Sequence, residues 1–197
     1  GRIIAKCMSS PFGVGMSYFR ISSRKKIVDT VPFPIYKRLV LDDVGTYDEE
    51  LIRNQDDELN YRCTSMGYKI LMHPDLKTEY FVREKLTDLW IQYFQYGLFK
   101  PLVLKKVPKS GRFYQFLPFL FVLSNLIFFS LTFLNWIFIT PVFLYLTMAI
   151  IFSLRIQRSL FDSIFSVAVF PCLHISYGLG FIFGIKKLKN NDDSKKK

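Results

Sequence analysis

The chain has 197 residues, half of them hydrophobic and 17% aromatic, and a formal net charge of +11. That length suits one domain, or a small domain with an appendage, and the composition excludes an average soluble protein. Three cysteines, Cys7, Cys63 and Cys172, lie too far apart for metal-ligand spacing, so they read as free buried thiols.

Charge is unevenly placed. Between Asp42 and Asp88 there are 12 acidic residues against 6 basic ones, and outside that window 21 Lys and Arg face only 4 acids. The basic excess reads as contact with anionic lipid rather than with nucleic acid.

The first residues do not follow the order of a signal peptide, and the chain is expected to be the C-terminal piece of a longer one. Residues 1–41 read as irregular. Pro11, Gly13 and Gly15 mark a loop, and Arg20, Arg24, Lys25 and Lys26 form a basic cluster after it. A short strand is expected from Val28 to Phe33, stopped by Pro32 and Pro34. Residues 57–66 read as a helix with Asp56 or Asp57 as N-cap. Leu59, Cys63 and Met66 form its apolar stripe, and Gly67 stands where a helix-ending glycine is wanted. Tyr68 to Met72 then reads as a strand, with His73 a polar residue at its end.

Residues 85–100 predict an amphipathic helix. Leu86, Leu89, Trp90, Tyr93, Phe94 and Gly97 fall on one side, and Thr87, Asp88, Gln92 and Gln95 on the other. Its aromatic side suits a water–lipid boundary. From Phe113 to Leu154 no charged residue or histidine occurs, a run of 42 residues. A helix needs roughly 20 apolar residues to cross a bilayer, so two spans are expected, about 116–134 and 136–154, split near Asn135. Basic segments flank this hairpin at Lys100–Arg112 and at Arg155 and Arg158, which places both flanks on the cytoplasmic side. A third apolar segment, about 160–185, carries Asp162, Pro171, His174 and three glycines. It is expected either to span or to be re-entrant and broken near Pro171. Residues 186–197 form a basic tail. His174, an ionisable group in an apolar segment, is a functional suspect by default; a hydrogen bond to Ser176 or Tyr177, or contact with a lipid phosphate, are its two readings.

The acidic run Gln55-Asp56-Asp57-Glu58 carries the chemistry. One or two acids at a helix start are favoured by the helix dipole; this many read either as a solvated acidic loop or as a site. Crowded carboxylates raise one another's proton affinity, which suits a general base acting near neutral pH. Metal binding by the run alone is less attractive, because adjacent helical side chains diverge.

The order Gly45-x-Tyr47-Asp48-Glu49, then Arg53-Asn54-Gln55-Asp56-Asp57-Glu58-Leu59-Asn60-Tyr61-Arg62, then Gly67-Tyr68-Lys69-Ile70 and Pro74 resembles the C-terminal half of a family 2 glycosyltransferase of the succinoglycan type. Ser10–Gly15, Val28–Val31, Gln92–Gly97 with Lys100, and His174–Phe181 resemble the same subgroup. The resemblance implies an α/β fold: residues 1–84 as the C-terminal part of a GT-A, Rossmann-like catalytic domain, 85–112 as interfacial helix and basic linker, and 113–185 as a membrane region. It implies an inverting transferase of the plasma membrane, multi-pass, its catalytic part cytoplasmic. Such an enzyme moves a sugar from a nucleotide-sugar donor to a lipid-linked or glycan acceptor, with Mg²⁺ or Mn²⁺ held by ligands outside this chain.

Laid on these residues, the family's Glu-Asp pair falls on Gln55-Asp56, making Asp56 the expected base, with Asp57 a competitor and Glu58 the acid two places on. Asp48, Arg62, Gln92, Gln95, Tyr96 and Lys100 are the expected donor- or acceptor-side contacts. The family's Gln-x-x-Arg-Trp element reads Gln92-x-x-Gln95-Tyr96. Its cation is therefore missing, and Lys100 or Arg83 is expected to supply the charge. Two other classes compete: a non-catalytic membrane-anchored interaction subunit, and a small transporter component with Asp162 and His174 as a proton relay.

Overall fold

A computed structural model describes residues 1–15 and 24–194; Arg20 of the basic cluster lies outside them. In chain order the elements are α1 (Arg2–Met8), α2 (Pro11–Val14), β1 (Lys26–Val28), α3 (Arg38–Val44), α4 (Gln55–Ser65), β2 (Ile70–Met72), α5 (Leu86–Lys106), α6 (Phe113–Leu131), α7 (Thr140–Ile156) and α8 (Leu160–Ser194). Short 3₁₀ turns lie at Pro108–Ser110 and Trp136–Ile139.

The described residues are mostly helical, and their one sheet is two-stranded. Lys26 pairs with Met72 and Val28 with Ile70, antiparallel. Of the expected GT-A, Rossmann-like part, a fold built on parallel strands joined by helical crossovers, the described residues contain only this antiparallel ribbon. The strand expected over Val28–Phe33 lies instead at Lys26–Val28 and shares only Val28 with it; Pro32 and Pro34 cannot donate to a ladder. The second strand likewise starts at Ile70, not Tyr68.

α8 is the centre of the molecule. Val169, Phe170, Cys172 and Leu173 pack with Ile4, Cys7 and Met8 of α1, Leu89 and Tyr93 of α5, and Ala149 of α7. Among the described residues, three helices are long and apolar enough to cross a membrane: Phe113–Leu131, Trp136–Ile156 and Leu160–Asn190. The first two are separated at Asn135, whose side chain accepts from the Ile137 N–H at 2.9 Å. The third runs unbroken through Pro171, so the expected break there does not occur.

The glycines that suggested a break are contact points. A Cβ on Gly180 would lie 2.1 Å from the Phe94 carbonyl oxygen, one on Gly97 would lie 2.1 Å from that of Tyr177, and one on Gly184 would lie 2.4 Å from that of Leu98. α5 and α8 thus touch backbone to backbone, as helices in membranes do at small residues. The pairs Phe94–Gly180 and Leu98–Gly184 advance together, so the two helices run parallel. This contact also explains why α5 continues past residue 100 to Lys106, with Pro101 pressed against Gly184.

Candidate active site

α4 starts at Gln55, two residues before the expected start, and its N-cap is Asn54 rather than an aspartate. Asn54 holds a left-handed φ of 63°, a conformation asparagine tolerates better than most residues. Its side-chain amide donates to the Tyr96 carbonyl at 3.0 Å, tying the helix start to α5. The end is as expected. Gly67 takes φ 92°, and the N–H groups of Gly67 and Tyr68 donate to the carbonyls of Thr64 and Cys63, closing the helix in a Schellman motif. Leu59 and Cys63 are buried, but Met66 is exposed.

The helix back is locked by polar contacts. Buried Asn60 donates to the Val31 carbonyl at 2.7 Å and the Thr30 hydroxyl at 3.0 Å, and accepts from Tyr36 at 2.9 Å. Glu58 takes Arg62 in a two-point ion pair of 2.7 and 3.0 Å. Arg62 then donates to the Val44 and Thr46 carbonyls. Neither Glu58 nor Arg62 lines the cavity described next; they hold the preceding loop to the helix.

In front of α4 lies a cavity of about 1670 Å³. Asp48, Arg53, Asp56 and Asp57 give it a polar lining, α5 contributes Gln92, Tyr96 and Lys100, and α6 contributes the apolar Leu120, Leu123 and Ile127. Six of the nine expected site residues thus meet around one space: Asp48, Asp56, Asp57, Gln92, Tyr96 and Lys100.

Asp56 is half-buried, and its Oδ1 accepts from the Asp57 N–H at 2.9 Å. Burial pushes its carboxyl above the usual carboxylate range, against the lowering effect of that N–H, and the Asp57 charge adds to the rise. Asp57 does not turn away from the cavity as adjacent helical positions suggest. Its Oδ2 is 2.7 Å from the buried Lys100 ammonium. Lys100 is therefore committed to a carboxylate. Asp48 is likewise paired with Lys106, which holds its carboxyl below the usual range.

Gln92 is 8% exposed, not on a wet face. Its amide nitrogen donates to the hydroxyls of Tyr80 at 2.7 Å and Tyr96 at 3.1 Å, while its buried oxygen has no partner. Gln95 stands outside the cavity lining and accepts from Arg53 Nε at 2.8 Å. Arg53 is the residue that sequence reasoning missed. It lines the cavity, Gln95 holds it by one nitrogen, and no carboxylate pairs with it among the described residues. Its signal was a complementary pair 42 residues apart, which only the fold brings together.

His174 contacts neither Ser176 nor Tyr177. One ring nitrogen is 2.9 Å from the Phe12 carbonyl and the other 2.8 Å from the Tyr145 hydroxyl. The carbonyl can only accept, so Nε2 carries a proton. Asp162 pairs with Arg2 at 3.0 Å. Twelve residues separate Asp162 from His174 on one helix, roughly 18 Å of rise, so the two do not form a direct relay.

No family model and no solved structure matches the chain. It is similar to succinoglycan biosynthesis protein ExoA of Rhizobium meliloti (strain 1021), at 30% identity over 142 residues, which are 70% of this chain and 42% of that protein. The chain thus spans about two fifths of that relative's length. The likeness is distant, and it falls on the succinoglycan type whose motifs the chain resembles.

Proposed function

We propose that the chain belongs to a membrane-bound, inverting glycosyltransferase of exopolysaccharide synthesis, with Asp56 as its general base. The observation that supports this best is the cavity itself. A half-buried carboxyl of raised proton affinity lines it, and so do apolar side chains of a membrane-capable helix. An amphiphilic acceptor fits that lining, its sugar at Asp56 and its lipid along α6.

In the proposed reaction the acceptor hydroxyl oxygen attacks the anomeric carbon of a nucleotide sugar. A new glycosidic bond forms as the bond to the nucleoside diphosphate breaks, and the hydroxyl proton passes to Asp56. The attack comes from the face opposite the leaving group, so the configuration inverts. Arg53 takes the place of the missing cation. Its unengaged guanidinium nitrogens offer a fork to a phosphate oxygen. Gln92, with an unsatisfied oxygen, accepts a sugar hydroxyl. The resemblance also implies Mg²⁺ or Mn²⁺. Among the described residues no three His, Cys, Asp or Glu side chains come together as a metal site, so these residues do not fit the ion by themselves and no step is assigned to it.

The test is Asp56→Asn in the complete enzyme. Loss of sugar transfer with donor binding retained supports the role; near-normal turnover removes it.

A further inference from the structure

Among the described residues, Lys100 is nearly alone in being a charged side chain withdrawn from water; Glu58 is the other. Its ammonium lies 2.7 Å from Asp57 Oδ2, with side-chain exposures of 3% and 20%, and 5.6 Å from the centre of the Tyr61 ring. A buried ammonium costs several kcal/mol unless it is paired, so the fold keeps this contact against a penalty. Asp57 is in turn bound to Asp56, donating its backbone N–H to the Asp56 carboxylate. Lys100, Asp57 and Asp56 therefore form one continuous chain of contacts ending at the proposed base.

We propose that Lys100 is a positioning residue whose charge neutralises Asp57 and so leaves Asp56 free to ionise and act as the base. The inference rests on the reading of Asp56 as base. Without Lys100, an uncompensated Asp57 carboxylate would stand beside Asp56, and ionising a second carboxylate next to a first is costly. Asp56 would then ionise only at higher pH, and less of it would be available to accept a proton. The other groups facing Asp56 do not replace Lys100. Tyr36 and Tyr47 come from the preceding loops, and burial raises the Tyr36 phenol, which keeps it neutral. Arg53 lines the same cavity, but it is tied to the Gln95 amide rather than to Asp57, and in the proposed reaction its charge goes to the donor phosphate; Asp48 is paired with Lys106, and Tyr96 of α5 brings no cation. Lys100 arrives from α5, which is seated on α8 by the Gly97 and Gly180 contacts. The base is thus tuned from the helix layer that carries the membrane-capable segment.

The experiment compares Lys100→Met, Asp57→Asn and the double variant in the complete enzyme, reading the acid limb of kcat/KM against pH. Lys100→Met leaves Asp57 unneutralised and moves the limb to higher pH, by about one pH unit. Asp57→Asn, which keeps the side-chain shape, leaves the cation alone and moves the limb to lower pH. The double variant returns it toward the parental position. A pair that only braces α4 against α5 lowers activity and melting temperature but leaves the limb in place in both single variants, and that result overturns the proposal. A second readout does not need turnover: carbodiimide labels protonated carboxyls, and its pH dependence at Asp56 is followed by peptide mass spectrometry, with Asp56→Asn as control. If labelling shifts in these opposite directions while the parental enzyme transfers no sugar, the ion-pair tuning stands and the glycosyltransferase reading falls.

Discussion

Asp56 sits where its charge is costly, and that predicts a trade of stability against function. Its folded carboxyl binds a proton more tightly than an unfolded one. Folding stability contributed by this group is therefore present below the ordinary aspartate range and lost as pH rises through the raised value. Asp56→Asn removes that loss. The variant should lose transfer by about 10²- to 10⁴-fold yet melt at a higher temperature than the parent at pH 7. The gap should close when melts are repeated near pH 3. Arg53 carries a different expectation. Arg53→Gln should raise KM for the nucleotide sugar by about tenfold or more, the worth of one hydrogen bond to a charged group, with the melting temperature little changed. Arg53→Lys should not restore it, because an ammonium lacks the planar fork. The acidic run was legible because it stood out against a basic chain. Arg53 was not, because its partner Gln95 is distant in sequence. Glu58 and Arg62 carried a local signal, an acid four residues before a base on a helix, and they form that ion pair beside the cavity lining rather than in it.

At the scale of elements, what was legible was what local chemistry decides. The stop of α4 at Gly67 follows from the left-handed residue a Schellman end requires. Its start was misplaced because Asn54 takes a left-handed conformation and its side chain donates to the Tyr96 carbonyl, making no side-chain bond to the N–H groups of the helix. α8 shows the larger gap. Proline and glycine are read as breakers from local propensity, but propensity is a weak prior when packing opposes it. Gly97, Gly180 and Gly184 are bare because another backbone occupies the space of their side chains. Two substitutions separate these roles. Gly180→Ala should push α5 from α8 and destabilise by about 1–3 kcal/mol. It should also lower activity, since α5 carries Lys100. Gly67→Ala meets no neighbour within 4 Å, so only its positive φ is strained, at about 1–2 kcal/mol, and the cavity should be unaffected. Denaturant unfolding and transfer rates in detergent, measured on both, check this difference.

The whole molecule divides into a buried helix and two outward ones. Half of the third apolar window is buried, against 6% and 11% for the first two, so α8 is held by protein while α6 and α7 present apolar side chains outward. Such a surface is far larger than a monomeric soluble protein exposes, and lipid is the solvent that suits it. The hairpin was legible from 42 uncharged residues in a row. In the sheet, the strand Ile70–Met72 was legible within Tyr68–Met72, whereas its pairing with Lys26–Val28 was not, because the two strands lie far apart in sequence. The cavity has lining from both parts, and its apolar lining makes the last expectation specific. Leu120 and Leu123 line it, whereas Leu126, on the same helix, does not. Shortening both lining residues to alanine removes apolar contact with an acceptor's lipid at about 0.8 kcal/mol per buried methylene. The Leu120→Ala, Leu123→Ala variant should raise KM roughly tenfold for a long-chain polyprenyl-linked acceptor. It should leave KM unchanged for the same sugar on a short, water-soluble aglycone. Leu126→Ala should change neither. Equal losses with both acceptors would mean that the apolar lining of the cavity does not hold the lipid, and the acceptor would then have to reach Asp56 along the polar lining alone.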